Sequence, residues 1–381
     1  MTTILLAFDS FKGSLTSCEV ADAFEEGVRS VLPDCTVRKV CLADGGEGTA
    51  EAMVSTLHGE WVDVEVLDPL MRPIHARYGV VDDGRTAVIE MASASGLTLL
   101  AEDERNPLKT STYGTGQLMA DALKRGCRKL LIGIGGSATN DAGTGMLSAL
   151  GFRFYDAGGH LLDGCGESLE RIAVIDSSHI LPELKAADIR VACDVTNPFC
   201  GPQGAAYVFA PQKGADRVMV ERLDRGMRHF AAVVSQYGNR VDVTGICGAG
   251  AAGGLGGAFV ALLGAPLCQG IGLVLAAVRF DEQLEGCDLV VTGEGRIDRQ
   301  TLMGKAPMGV LDAATRRGIP VVAIGGSVES CAELAQSGFS SILSINDEGL
   351  PLHLAMRPDV ACENVRRMGR QVRAWLYKVM L

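Results

Sequence analysis

The sequence predicts an α/β protein of two domains, in which a doubly wound parallel sheet is built from both chain ends and a second α/β (α+β) domain is inserted between them. Three observations predict it. Strand and helix patterns alternate at the start of the chain, the same alternation resumes near its end, and the middle opens with consecutive β-rich stretches instead.

The first strand is the apolar run Ile4–Phe8, and helical spacing of apolar residues follows over Cys18–Leu32. Val37–Leu42 reads as a second strand and residues 48–57 as the next helix. Near the other end, strands are expected at Leu289–Val291, Val321–Ile324 and Ile342–Ile345, separated by helices around Met308–Arg317 and Cys331–Gln336. Two strands from the start and three from the end are the complement of a flavodoxin-like sheet of order 2-1-3-4-5. The expected domains are therefore 1–62 with 286–381, and 63–285. In the insert, Trp61–Leu67, His75–Val81 and Thr86–Met91 read as strands, the last two joined by the turn Asp82-Asp83-Gly84. The glycine-rich stretch 245–257 reads as a backbone-dominated loop or a tightly packed helix entry.

The 381 residues carry a formal charge of −11 and only 5% aromatics. Such a surface repels polyphosphate backbones and anionic lipid, so neither nucleic acid nor a membrane is expected as a partner. An anionic small molecule must instead meet a local basic pocket. The amino terminus lacks a basic signal-peptide region, and no apolar run approaches the roughly 18 residues of a membrane span, so a cytoplasmic protein is expected. The 12 cysteines are scattered without a Cys-x-x-Cys pair and are expected as reduced, mostly buried thiols. Nothing in the sequence marks an oligomeric state.

Four clusters rich in glycine and acids follow predicted strands, where open α/β sheets collect ligands. They are Asp9-Ser10-Phe11-Lys12-Gly13-Ser14, Asp44-Gly45-Gly46-Glu47-Gly48-Thr49, Gly133-Ile134-Gly135-Gly136-Ser137-Ala138-Thr139-Asn140-Asp141, and Gly293-Glu294-Gly295-Arg296-Ile297-Asp298 with Lys305 beyond it. In a 2-1-3-4-5 sheet the crevice opens between the first and third strands. The first and fourth clusters flank it, which places Lys12, Arg296 and Lys305 beside Asp9, Glu294 and Asp298. Basic groups neutralise phosphoryl oxygens and carboxylates hold a divalent cation, the two tasks of phosphoryl transfer. Each cluster also has a plain structural reading: Ser14 or Thr16 as the cap of the first helix, Asp44 as the cap of the next, Arg296 in an ion pair with a neighbouring acid.

No Gly-x-x-x-x-Gly-Lys-Ser/Thr string occurs, which excludes a P-loop. Gly133–Ala138 fits Gly-x-Gly-x-x-Ala, and Asp156 stands near the place of a ribose acid, so a nicotinamide-dependent hydroxy-acid dehydrogenase is an alternative. Against it, Asn140-Asp141-Ala142-Gly143 puts poor helix formers where that fingerprint needs a helix. A non-catalytic binder of small acids is the other alternative.

At these clusters, and at Ala192-Cys193-Asp194-Val195-Thr196-Asn197-Pro198, the chain resembles the class I glycerate kinase family of bacteria, in the same order and over nearly the whole length. The resemblance implies ATP- and Mg2+-dependent phosphorylation of D-glycerate at the 2-hydroxyl, giving 2-phosphoglycerate and ADP. Within that reading, Asp194 is the candidate base, with Lys12 and Lys305 as phosphate partners. Arg296, Ser10, Asn197 and Asp44 are assigned to glycerate, and Asp9, Glu294 and Asp298 to the metal. Gly13, Ser14, Gly45, Gly46, Gly135, Gly136, Ser137, Asn140, Gly293 and Gly295 are assigned to the nucleotide.

Overall fold

The computed structural model of the chain describes residues 2–379. Its contacts form two compact units, the first holding the chain up to Asp44, Glu51–His58 and the chain from Gly270 on, the second Gly45–Ala50 and Gly59–Gln269. The last stretch of the first unit, from Gly270, begins before the 285/286 boundary expected from sequence. The helix Gly270–Ala277 packs on the helix Ala306–Thr315, where Ile271 reaches Gly309, and this contact ties it to the first unit.

The first unit is built on a five-stranded sheet of β1 (Thr3–Phe8), β2 (Thr36–Cys41), β11 (Leu289–Ile297), β12 (Val321–Val328) and β13 (Ser341–Ser344), in the order β13-β12-β11-β1-β2. All four pairings are parallel, and the expected neighbours β1 and β11 pair from Ile4 opposite Leu289 to Phe8 opposite Gly293. Every residue of β1 is buried, as a central strand covered by helices on both faces must be. Ile4, Leu6, Phe8, Phe24, Val291 and Trp375 share one core cluster. The helix Ser17–Val31 is started by a capping box: Thr16 Oγ1 accepts from the Glu19 amide at 3.2 Å, and Glu19 Oε2 accepts from the Thr16 amide at 2.8 Å. Thr16 is therefore the cap, which leaves Ser14 outside the helix.

The expectation of reduced thiols fails at one pair. Cys18 in the first turn of that helix and Cys41 at the end of β2 are joined in a disulfide, with 5.3 Å between their Cα atoms. Packing the helix along the sheet sets its first turn over the strand end, a proximity that sequence spacing does not reveal. The other ten cysteines are free.

The second unit has a six-stranded sheet. β3 (Glu60–Leu67), β4 (Pro73–Val81) and β5 (Thr86–Glu90) run antiparallel in succession, and β6 (Lys129–Gly133), β9 (Asp188–Ala192) and β10 (Leu267–Cys268) continue from β5 in parallel. β7 (Arg153–Tyr155) and β8 (Val174–Asp176) form a separate ribbon. The glycine-rich stretch 245–257 is a packed helix entry: a Cβ on Gly253 would stand 2.1 Å from the Thr139 carbonyl oxygen, and one on Gly257 2.7 Å from the Phe199 ring. No helix among the described residues is long and apolar enough to cross a membrane.

Glycine allows a close helix contact in the first unit. A Cβ on Gly27 would lie 2.1 Å from the carbonyl oxygen of Arg366 on the helix Pro358–Gly369. Gly27→Ala should therefore force the two helices apart and lower stability by about 1–3 kcal/mol, read as a lower urea midpoint. An unchanged midpoint would contradict this packing.

Candidate active site

The carboxyl ends of β1 and β11, adjacent at the switch point of the first sheet, deliver the first and fourth clusters to one place. Asp9 follows β1 directly and is 2% exposed. Its amide joins the ladder by donating to the Gly293 carbonyl at 2.9 Å, and its Oδ1 accepts from the Ser10 amide at 2.6 Å. Burial, then the charge of Asp44, push its carboxyl up to about 7, against the pull of the Ser10 amide and Lys12. Lys12 Nζ stands 3.5 Å from Asp44 Oδ2. Burial works against the Lys12 charge, but Asp44 and Asp9 outweigh it and hold its ammonium above the ordinary lysine range.

Glu294 is the matching acid of β11. It accepts from Thr301 Oγ1 at 2.5 Å and lies 3.5 Å from Lys305 Nζ. Burial raises its pKa despite the opposing effects of Thr301 and Lys305. Asp9, Lys12, Glu294 and Lys305 line one cavity of about 400 Å³, together with Ser10, Ser14, Gly295 and Arg296. Two buried acids and two more exposed ammonium groups thus share a common space, a set with the charges to receive an anion and a cation together.

The fourth cluster divides. Arg296 Nε pairs with Asp298 Oδ2 at 3.0 Å, and Asp298 Oδ1 accepts from the Gln300 amide at 2.8 Å. Gly293 lies inside the ladder, where a Cβ would stand 2.1 Å from the Ile324 carbonyl oxygen, so its glycine identity answers to packing. Ser14 donates its amide to Phe11, while its Oγ is buried without a hydrogen-bond partner among the described residues.

The third cluster and, of the second, all but Asp44 belong to the second unit. The loop after β6 packs on the loop Gly45–Gly46, with a Gly133 Cβ position 2.8 Å from the Gly45 carbonyl oxygen and a Gly135 one 3.7 Å from Gly46 Cα. Gly135 and Gly136 are exposed at its tip, and Ser137 and Asn140 are buried behind them. Asn140 Nδ2 donates to Met227 Sδ at 3.2 Å, and its Oδ1 finds no partner among the described residues. Asp141 accepts from Thr112, Gly143 and Gly145 and so ties this loop to its own core. No helix starts at the glycines: the next one begins at Thr144. The helix amino terminus that a dinucleotide fingerprint needs is therefore missing there. Asp156, its counterpart acid, accepts from the Gly158 and His160 amides of its own turn. Asp194, just past β9, is exposed, and Asn197 donates Nδ2 to the Gln203 carbonyl at 2.9 Å.

One residue here escaped the sequence. Lys213 is 1% exposed and donates to Ser137 Oγ at 2.7 Å and to the Thr139 carbonyl at 2.6 Å, so a buried ammonium stands behind the glycine-rich loop. Lysine is almost never fully buried, and nothing in Pro211-Gln212-Lys213-Gly214 announces it.

A doubly wound sheet whose strand ends carry paired acids and lysines, with no P-loop, is of the class of α/β phosphotransferases without that loop. The particular family follows from likeness to known proteins. Residues 4–377 match the glycerate kinase family. The chain is 45% identical to a glycerate kinase of Halalkalibacterium halodurans, covering 98% of this chain and 99% of that one, and 44% identical to the glycerate 2-kinase of Escherichia coli, covering 98% and 97%. Its structure superposes with a TM-score of 0.90 on that of a putative glycerate kinase 2 from Salmonella typhimurium, at 46% identity over 99% of this chain and 98% of that chain. The chain belongs to the glycerate kinase family and is a kinase.

Burial pulls the Lys213 ammonium from its ordinary 10.5 down to about 7, against the attraction of Asp141. Between those values the unfolded chain binds more protons than the folded one, so this residue makes stability rise with pH there. Urea unfolding at about pH 7 and about pH 9 should show wild type gaining on Lys213→Met as pH rises. Parallel profiles would contradict a Lys213 whose pKa burial depresses.

Proposed function

We propose that the protein transfers the γ-phosphoryl group of ATP to the 2-hydroxyl of D-glycerate, giving 2-phosphoglycerate and ADP, with Mg2+, in the cytoplasm. The observation that carries this reading is the paired charge at the switch point: Asp9 with Lys12, and Glu294 with Lys305, around one cavity.

Phosphoryl transfer asks a protein for positioning and for charge neutralisation. Lys12 and Lys305 meet the nonbridging oxygens of the phosphate chain and offset their charge as the bond to the leaving oxygen breaks. Among the described residues no three acid, histidine or cysteine side chains gather as a metal cage. Mg2+ needs no such cage, since it keeps waters and phosphate oxygens as most of its ligands and takes only one or two carboxylates. Asp9 and Glu294 fit that demand, as buried carboxyls that line one cavity. Asp298 is the weaker ligand, because its two oxygens already serve Arg296 and Gln300. Mg2+ would supply charge neutralisation on the phosphates.

Arg296 remains the partner proposed for the glycerate carboxylate, its planar fork suiting two parallel hydrogen bonds. Asp194 is the base proposed for the 2-hydroxyl proton. Asp194→Asn should lower kcat by roughly 10²–10⁴-fold with little change in the KM for ATP. Near-normal kcat would remove Asp194 from that role.

The reaction itself is tested by incubating the protein with ATP, Mg2+ and D-glycerate and following ADP. Glycerate-dependent ADP release is expected, and its absence would overturn the reading. The phosphorus spectrum of the product reads the position. A 2-phosphate couples to one proton and gives a doublet, whereas a 3-phosphate would give a triplet and refute the 2-hydroxyl.

A further inference from the structure

The cavity of the first unit has unlike linings. Asp9, Lys12, Glu294 and Lys305 are charged, Ile345, Leu352, Ala355 and Met356 are apolar, and Ser327 and Asn346 are polar. Leu352 is 72% exposed and Met356 38% exposed, on a short helix, Leu352–Ala355, whose turn carries Met356 as its carboxyl-terminal cap. Positions 352, 355 and 356 stand three and four residues apart, so they share one helix face, and that face is apolar, open and turned to the cavity. Core packing does not account for a leucine left so exposed. The wall also meets the first cluster directly, because the Met356 Cε lies 2.9 Å from where a Gly13 Cβ would be, at a glycine whose φ is +76°.

We propose that Ile345, Leu352, Ala355 and Met356 form the subsite for the nucleoside half of ATP. The inference rests on the kinase reading above and adds where the nucleotide is recognised. Glycerate has a carboxylate and two hydroxyls on three carbons and offers no apolar surface to such a wall. A purine nucleoside does, because its flat ring loses little on leaving water and gains dispersion contact against leucine and methionine side chains. A volume of about 400 Å³ lies within the range of small-molecule sites, and the charged side lies in the same cavity, where a phosphate chain leaving the nucleoside must run. Asn346, which lines the cavity beside Ile345, is fixed in place: its Nδ2 donates to the Gly326 carbonyl at 2.7 Å, and Asn364 Nδ2 donates to its Oδ1 at 2.9 Å. Base recognition then belongs to the first unit, and Gly135, Gly136 and Ser137 are released from that part of their expected role.

Leu352→Ser and Met356→Ser test the subsite, since both side chains reach solvent and neither supports the core. Each should raise the KM for ATP by about tenfold, the effect of losing most of one apolar contact. KM for glycerate and kcat should stay within about twofold. Adenosine, which carries no phosphate, should bind the wild-type protein in calorimetry and compete with ATP, and both variants should weaken it by a similar factor. Unchanged ATP KM in both variants, or a rise confined to glycerate, would overturn the subsite. The calorimetric arm needs no turnover. If the wild type released no ADP with glycerate, the kinase reading would fall while adenosine binding still decided the subsite.

Discussion

The structure depends on the parallel pairing of β1 with β11, strands whose bonded residues lie 285 positions apart: the Thr3 amide donates to Asp288 Oδ2 at 2.8 Å, and Thr292 Oγ1 donates to the Ala7 carbonyl at 2.6 Å. Closing so long a loop is entropically unfavourable, and the compensation is complete burial of β1 and of Leu289–Glu294. Functionally, the register fixes which side chains leave the sheet together. Phe8 opposite Gly293 makes Asp9 and Glu294 the next residues on adjacent strands. A slip of one residue would turn one of them away from the cavity.

That juxtaposition is electrostatically unfavourable in the free protein. Two buried acids and Asp44 share a small region, and Lys12 and Lys305 compensate only in part, which is why burial and Asp44 lift Asp9 to about 7. Such a site is stabilised by a ligand that brings positive charge to the acids and negative charge to the lysines. A magnesium nucleotide would do both. The apolar wall continues the same logic at Leu352 and Met356, which stand exposed where an apolar ligand part would cover them.

Much of this was legible in the sequence. Apolar runs stopped by Asp9, by Ala43-Asp44 and by Gly293-Glu294 mark strand ends, and the split alternation of strands and helices gives the order of the five-stranded sheet, from which the meeting of Asp9, Lys12, Glu294 and Lys305 follows. What stayed hidden arises from packing between distant segments. The Cys18–Cys41 disulfide needs the helix-on-sheet geometry. Gly293 looks like a ligand-binding glycine, yet it answers to the Ile324 carbonyl beside it. Asn140 and Lys213 carry polar side chains of the kind usually read as exposed, and both are buried. The Leu352–Met356 stripe is too short to stand out from ordinary core periodicity.

We propose that Asp9 and Glu294, brought together by the β1–β11 register, receive the metal that accompanies the nucleotide phosphates. Calorimetric titration of ADP with and without Mg2+, into the wild type and into Asp9→Asn combined with Glu294→Gln, measures this directly. Magnesium should tighten ADP binding to the wild type, and that enhancement should vanish in the double variant while metal-free ADP still binds. An equal enhancement in both proteins would contradict the claim.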